Sequence, residues 1–303
     1  MLLRLSVLIP WALCTVSFIL SFLLLFAGHK DGFLEEYALI RFNTSTLGYD
    51  LVPTSDDTEE DSGGIGGLID DIQDGATDLL NNIGNNIADR LADELGISQW
   101  YSVHLMTLCR GEFEPNATQP SPDHNVTSCT KSSPDNRVNL TELIDGELQA
   151  GPLHISLAEI NWPSQVDDAI STVNKILLAI FILYCLAIGF SGLAMITALA
   201  AGVLDPRRSV VKIVNTILVL LAFIVLLAAS IGVTVGGKIA EDKIDEFGGD
   251  IGISADRGMG FLAFTWAAFG TIAVALIYWF AIFCVDRREK KRYRQSRVGQ
   301  KGY

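Results

Sequence analysis

Four stretches of this sequence lack every ionisable side chain: residues 5–28, 176–204, 213–237 and 258–285 contain no Asp, Glu, Lys, Arg or His. Each is longer than the roughly 20 apolar residues that a helix needs to cross a bilayer. They therefore predict four membrane-spanning helices. Transporters and proton relays usually place ionisable groups inside the membrane, so the lack of such groups argues against those classes of protein.

Motifs for catalysis and metal binding are also lacking. The four histidines, His29, His104, His124 and His154, show no H-E-x-x-H spacing, and neither G-x-S-x-G nor a P-loop occurs. The acidic run "DDTEED" lacks the D-x-[DN]-x-[DN]-G spacing of a calcium loop. We therefore expect no enzyme activity, no cofactor, no metal and no nucleic-acid partner.

The first apolar stretch has two interpretations. It follows Arg4 and ends in the small residues Ala27 and Gly28, as a cleaved signal peptide does. Its length exceeds the roughly 7–15 residues of a signal peptide's apolar region, which favours an uncleaved signal anchor. Either interpretation places the residues that follow outside the cytosol.

The charge distribution predicts the orientation of the spans, because short loops rich in Lys and Arg stay cytosolic. Residues 205–212 carry three basic residues and one acidic, and the tail 286–303 carries eight and two. By contrast, residues 29–174 carry 26 acidic and six basic residues, and 238–257 carry six and three. We therefore place both termini in the cytosol and the two acidic segments outside.

The predicted fold is a four-helix transmembrane bundle with a small α+β extracellular domain. Along the chain it comprises a first span (1–28), an extracellular loop domain (29–174), a second span (175–204), a cytosolic loop (205–212), a third span (213–237), a second extracellular loop (238–257), a fourth span (258–285) and a basic cytosolic tail (286–303).

Sequons and cysteines agree with this placement. All four glycosylation sequons lie in the long loop, at Asn43, Asn116, Asn125 and Asn139. Only two of the five cysteines, Cys109 and Cys129, lie there as well. Outside the cytosol they permit one disulfide, worth on the order of 3 kcal/mol for a loop of about twenty residues. The alternative is two free or intermolecular thiols.

Two segments of the long loop show periodic patterns. After an acidic, Gly-containing linker at 54–64, apolar residues recur at helical spacing from 65 to 95, which predicts an acidic amphipathic helix, or two. Its apolar face packs either on the loop's own core or on a partner protein. From 99 to 113 the residues alternate, which predicts one half-buried strand, with an irregular loop as the alternative. The buried face of that strand would carry Tyr101, Val103, Leu105, Thr107 and Cys109.

Small residues recur at helix-packing intervals in two spans: Ala194, Ala198 and Gly202 in the second, and Ala228, Gly232 and Gly236 in the third. They indicate either ordinary packing within one bundle or lateral association between copies. The polar residue Asn215, near the end of the third span, predicts a hydrogen bond between helices.

The segments "WYSVHLMTLCRGEF" (100–113) and "HNVTSC" (124–129), which precede the last three spans, resemble the fungal Sur-seven/PalI family. That family has a first span, a long extracellular loop with an aromatic-x-x-x-L…C-x-G motif, and three further spans, an arrangement that covers nearly the whole chain. The residues that match the motif are Tyr101, Leu105, Cys109 and Gly111, with Cys129 as the second loop cysteine. Leu108 departs from the pattern, since many relatives have Trp or Tyr before the cysteine.

The resemblance implies a structural component of fungal plasma-membrane cortical microdomains, associated with eisosomes and contributing to membrane organisation, endocytosis and cell-wall integrity. The short basic tail resembles the Sur-seven branch more than the PalI branch, and the layout also resembles claudins. The expected partners are membrane lipids, further copies of the chain and other cortical membrane proteins. The alternatives are an accessory subunit of a channel, transporter or pH-sensing complex, or a claudin-like adhesion protein.

Overall fold

The computed structural model describes residues 2–46, 96–115, 117, 122–134, 140–150, 156, 164–203, 209–249 and 252–299. Within them, the helices are α1 (Leu2–Leu25), α2 (Leu140–Ala150), α3 (Ser164–Val203), α4 (Ser209–Gly248) and α5 (Met259–Gly299). The strands are β1 (Ile40–Asn43), β2 (Trp100–Val103), β3 (Leu108–Glu114), β4 (Asp123–Cys129) and β5 (Ser254–Arg257). A short 3-10 helix, Glu35–Tyr37, precedes β1.

Four of the described helices are long and apolar enough to cross a membrane, which confirms the predicted fold class. Their candidate spans are Leu8–Leu25, Ser164–Ala200, Val210–Gly248 and Met259–Val285. The protein is therefore a multi-pass, mostly helical membrane protein with a small open sheet.

Three helices run past the spans predicted from composition. Helix α3 begins at Ser164 rather than near 175, α4 continues to Gly248 rather than stopping at 237, and α5 continues into the basic tail as far as Gly299. The extension of α4 keeps an apolar face, since Ala240 and Ile244 are buried one turn apart. Charged residues mark where a span leaves the membrane, but they do not end a helix, because backbone hydrogen bonding continues in water.

The chain divides into two compact units. The first, called the bundle unit, comprises Met1–Leu25, Ile182–Ile231 and Ala263–Tyr303. Small side chains fill much of its core, which suits the close approach of helices in a membrane. The core consists of Cys14, Ala187, Ala194, Ala198, Val219, Ala222, Leu226, Ala268, Ile272, Ala275 and Trp279.

Some of the small residues that were predicted to lie at helix-packing positions are buried between helices. Ala194 and Ala198 are fully buried in the bundle core, and Gly202 lies within α3. Ala228 is exposed, so of the two alternatives it fits only lateral association between copies, which stays a prediction. Because successive residues rotate by about 100° around a helix, the buried stripe of α4 passes instead through Ala222, Leu226, Ala229 and Val233.

The second unit, called the sheet unit, comprises Phe26–Phe181 and Gly232–Leu262. Its five strands pair antiparallel in the order β4-β3-β2-β1-β5. In the same unit, a Cβ added at Gly236 would collide with Ile176, and one at Gly232 would lie 3.7 Å from Ile180 Cγ1. Because these two glycines have no side chain, Ile176 and Ile180 of α3 can pack closely against α4.

The single strand predicted over 99–113 is in fact a hairpin of β2 and β3, so that prediction was wrong in form. The His104 amide donates to the Thr107 carbonyl at 2.9 Å and closes the turn. Register pairs Ser102 with Cys109 and Tyr101 with Arg110. Paired residues share a face of the sheet, so Tyr101 and Cys109 point to opposite faces, contrary to the predicted alternation.

Several predictions lie outside the described residues. They are the linker at 54–64, the amphipathic helix at 65–95, and the sequon residues Asn116 and Asn139.

Candidate functional site

The residues that match the family motif are all buried. Tyr101 and Cys109 are 0% exposed, Leu105 is 5% exposed, and Gly111 is buried as well. They lie in strands β2 and β3 or in the turn that connects them. The motif therefore builds the unit rather than presenting a surface.

Gly111 is required because two neighbours occupy the space of a side chain. It pairs across the sheet with Trp100, whose ring is fully buried. A Cβ at Gly111 would collide with the carbonyl oxygen of Asn125 and with the Trp100 ring. Sequence reasoning missed Trp100, since alternation from Tyr101 puts this residue on the face opposite the predicted buried one.

The disulfide between Cys109 and Cys129 is present and joins directly paired residues of β3 and β4. Cys109 Sγ also lies 3.8 Å from the carbonyl oxygen of Gly28, in the segment that follows α1. The cross-link therefore joins the edge strand β4 to β3, and Gly28 lies next to it.

Beside this disulfide lies a polar cluster, which we define as Glu35, Arg41, Ser102, His104 and His124. Ser102 Oγ donates to Glu35 Oε1, and His104 Nε2 lies 3.2 Å from Glu35 Oε2. Burial opposes the charge of Glu35, but hydrogen bonds and charge from His104, together with Ser102 and Arg41, lower the pKa of its carboxyl. The carboxylate thus bridges the segment after α1 to strand β2.

Arg41 and His124 form the other half of the polar cluster. Arg41 Nη1 donates to His124 Nε2 at 3.1 Å, and its guanidinium lies 5.7 Å from the Trp100 ring centroid. Burial, followed by the nearby charge of Arg41, lowers the pKa of His124 to about 4. His124 is therefore neutral at physiological pH and can accept the hydrogen bond from Arg41.

The chemistry of the polar cluster is restricted by its burial. Ser102, His104 and Glu35 resemble a nucleophile, base and acid, but Ser102 is 0% exposed and His104 is 2% exposed. Atoms of Glu35, His104 and Cys109 also lie within 4.8 Å of one another, as metal ligands would. The disulfide removes the thiolate from that set, since Cys109 is bonded to Cys129. What remains is an internal hydrogen-bond network.

A second network joins α2 to the opposite face of the sheet. Glu147 accepts hydrogen bonds from the Tyr101 hydroxyl and from the Ser98 amide, the latter at 3.0 Å, and pairs with Arg110. Arg110 Nε in turn donates to Ser128 Oγ at 2.7 Å. Burial raises the pKa of Tyr101 to about 12, so its hydroxyl stays protonated as a donor. The motif tyrosine thus positions a helix that sequence reasoning did not predict.

The two described sequon asparagines differ in environment. Asn125 is exposed on β4, where its amide donates to Glu114 Oε1 at 2.8 Å. Asn43 is half-buried in β1, and its Oδ1 accepts from the amide and hydroxyl of Ser45, which is 2% exposed. Asn125 is therefore the more accessible of the two.

In the bundle unit, Asn215 makes the predicted contacts between helices. In the amide orientation that satisfies its neighbours, its nitrogen donates to the Ala194 carbonyl at 2.7 Å and to Thr197 Oγ1 at 2.6 Å. Its oxygen accepts from the Trp279 indole at 2.8 Å. One fully buried side chain thus joins α3, α4 and α5.

Comparison with known proteins identifies a family. The SUR7/PalI family model matches residues 6–278 of the chain. No curated protein and no solved structure matches the chain.

Proposed function

The chain belongs to the SUR7/PalI family, and from this premise we propose that it is a non-catalytic structural component of fungal plasma-membrane cortical microdomains. Its role there is membrane organisation in patches associated with eisosomes, with consequences for endocytosis and cell-wall integrity. The family match over most of the chain is the observation that carries this proposal.

Several polar groups of the bundle unit are bonded to protein, which supports a scaffold over a transporter. Asn215 forms hydrogen bonds between helices. The hydroxyls of Tyr184 and Thr265 are hydrogen-bonded to each other at 2.6 Å. Ser17 donates to the carbonyl of Ala268 at 3.1 Å. Each of these groups is satisfied by protein, whereas a substrate pathway presents polar groups to its substrate.

The outer surface of the spans supports lateral contact with lipid and with other membrane proteins. Large apolar side chains remain uncovered on several helices, for example Ile196 at 59%, Ile224 at 52% and Ile277 at 69% exposure. We propose that membrane lipids, further copies of the chain and other cortical membrane proteins contact these surfaces.

We also propose that the five-stranded sheet is extracellular and that both termini are cytosolic. The basic residues of 205–212 and 286–303 support this orientation, since such loops stay on the cytosolic side. The disulfide in the sheet unit supports it independently, because disulfides persist in oxidising compartments.

Live-cell imaging of the full chain with a fluorescent carboxyl-terminal tag tests the microdomain role. We expect stable cortical patches that coincide with an eisosome marker, and loss of the chain should alter patch number or endocytic uptake. A diffuse surface signal, or an internal one with normal folding, would contradict the proposal.

A further inference from the structure

A groove of about 710 Å³ runs between α4 and α5 in the bundle unit. Its apolar walls include Ile213, Ile217 and Leu220 from α4, and Ile277 and Phe280 from α5. These side chains are poorly covered by protein, with Ile217 51% exposed and Phe280 63% exposed. Within a membrane, such a space is filled by lipid acyl chains or by apolar side chains of a neighbouring protein.

The groove ends at a positive charge. Arg287 lines it, and its guanidinium lies 4.5 Å from the ring centroid of Phe283. Phe280, Phe283 and Arg287 are spaced three and four residues apart, so they lie on one face of α5. The aromatic contact places the guanidinium beside Phe283, which also lines the groove.

The length of the groove fits one leaflet of a bilayer. With a rise of 1.5 Å per residue, α5 advances about 16 Å from Leu276 to Arg287. The hydrocarbon core of a bilayer is about 30 Å thick, so this is roughly the depth of one leaflet. An acyl chain that enters at Arg287 therefore reaches about the midplane along the groove.

We propose that this groove binds one acyl chain of an anionic phospholipid, whose phosphate pairs with Arg287. The combination of an apolar channel with a cation at its mouth matches the two parts of such a lipid. In the orientation proposed above, the mouth lies in the cytosolic leaflet, which carries the anionic lipids. The site depends on the chain's membrane insertion and not on its role in microdomains.

Native mass spectrometry of the purified full-length protein in detergent tests the charge at the mouth. Titration with phosphatidylserine and with phosphatidylcholine should show one tightly retained phosphatidylserine. Arg287→Gln should weaken that binding about fivefold, since one basic residue near an anionic headgroup contributes about 1 kcal/mol. The matched control is Arg292→Gln, which removes an exposed cation of the same helix outside the groove. If both variants weaken binding equally, the attraction is a property of the tail and the proposal is wrong.

A second pair of variants tests the apolar channel. Thr216→Phe places a ring in the groove and should weaken the binding of both lipids at least fivefold. Ile196→Phe, on an exposed surface of α3 outside the groove, should leave binding unchanged. If Thr216→Phe instead separates a dimer without changing lipid binding, a second copy occupies the groove and the proposal is overturned. These measurements need no cell, so their failure is distinct from a failure of the microdomain role.

Discussion

At the scale of single residues, Gly111 shows how little space the motif leaves. The Asn125 carbonyl and the Trp100 ring both lie where a Cβ would be placed. The backbone oxygen is held in the β3–β4 ladder and cannot move aside as a flexible side chain does. The motif therefore needs glycine at this position, because a side chain would collide with the Trp100 ring and with the backbone of strand β4.

We predict that Gly111→Ala lowers the free energy of unfolding by about 3 kcal/mol, at the upper end of overpacking costs. The matched control is Gly146→Ala in α2, where nothing lies within 4 Å of the added Cβ. That change should stabilise the helix by up to about 1 kcal/mol, because alanine favours a helix over glycine. Denaturation of the purified protein in detergent measures both, and equal effects would contradict the packing explanation.

The lowered pKa of His124 predicts that the stability of the fold depends on pH. Its pKa falls from an ordinary value of 6.5 to about 4 on folding, so between these values the unfolded chain binds a proton that the folded chain does not. Stability is therefore complete above about pH 6.5 and declines as the pH falls towards 4. Unfolding measured from pH 7 to 4.5 should show this decline, and His124→Gln should flatten it. An unchanged slope in the variant would show that other groups are responsible.

At the scale of elements, a few polar contacts join the helices of the bundle unit among the residues that the structure describes. Asn215 makes three of them, to Ala194, Thr197 and Trp279. The remaining core side chains are largely apolar and small, so their packing constrains helix rotation less specifically. Asn215 thus determines the register of α4 against its two neighbours.

We predict that Asn215→Leu lowers stability by about 2 kcal/mol, since interhelical hydrogen bonds in membranes average about 0.6 kcal/mol each. Thr216→Val is the matched control, because the Thr216 hydroxyl donates only within its own helix to the Lys212 carbonyl at 2.8 Å. Unfolding in mixed micelles with increasing denaturing detergent measures the difference. Equal destabilisation by the two variants would refute the assigned role.

At the scale of the whole molecule, charge and sequons predict one topology. Glycosidase treatment should lower the apparent mass of the protein, and a tag on the carboxyl terminus should be protected in intact cells. Asn125→Gln should remove one glycan, because Asn125 is exposed on an edge strand. Asn43→Gln should remove another, since Ser45 bonds the side-chain oxygen of Asn43 and not the nitrogen to which a glycan is attached. Surface labelling of the tag would overturn the orientation.

Prediction from sequence succeeded where a property is local. Each span is a continuous apolar run, so composition alone locates it. The Cys109–Cys129 pair was predictable because two cysteines in one oxidised segment allow a single pairing. The hairpin was predicted wrongly, since alternation continues across a tight turn and does not show that His104 to Thr107 reverses the chain.

The sequence by itself determined that this protein crosses a membrane four times, since transfer of apolar runs into hydrocarbon depends on composition and length. Only the tertiary structure decided which residues build the sheet unit. Strand β1 at 40–43 pairs with β2 at 100–103 and with β5 at 254–257, and four residues are too few to predict such partners from sequence. The polar cluster is decided in the same way. Glu35 and Ser102 become partners only when the sheet forms, because hydrogen bonds depend on distance in space and not on separation along the chain.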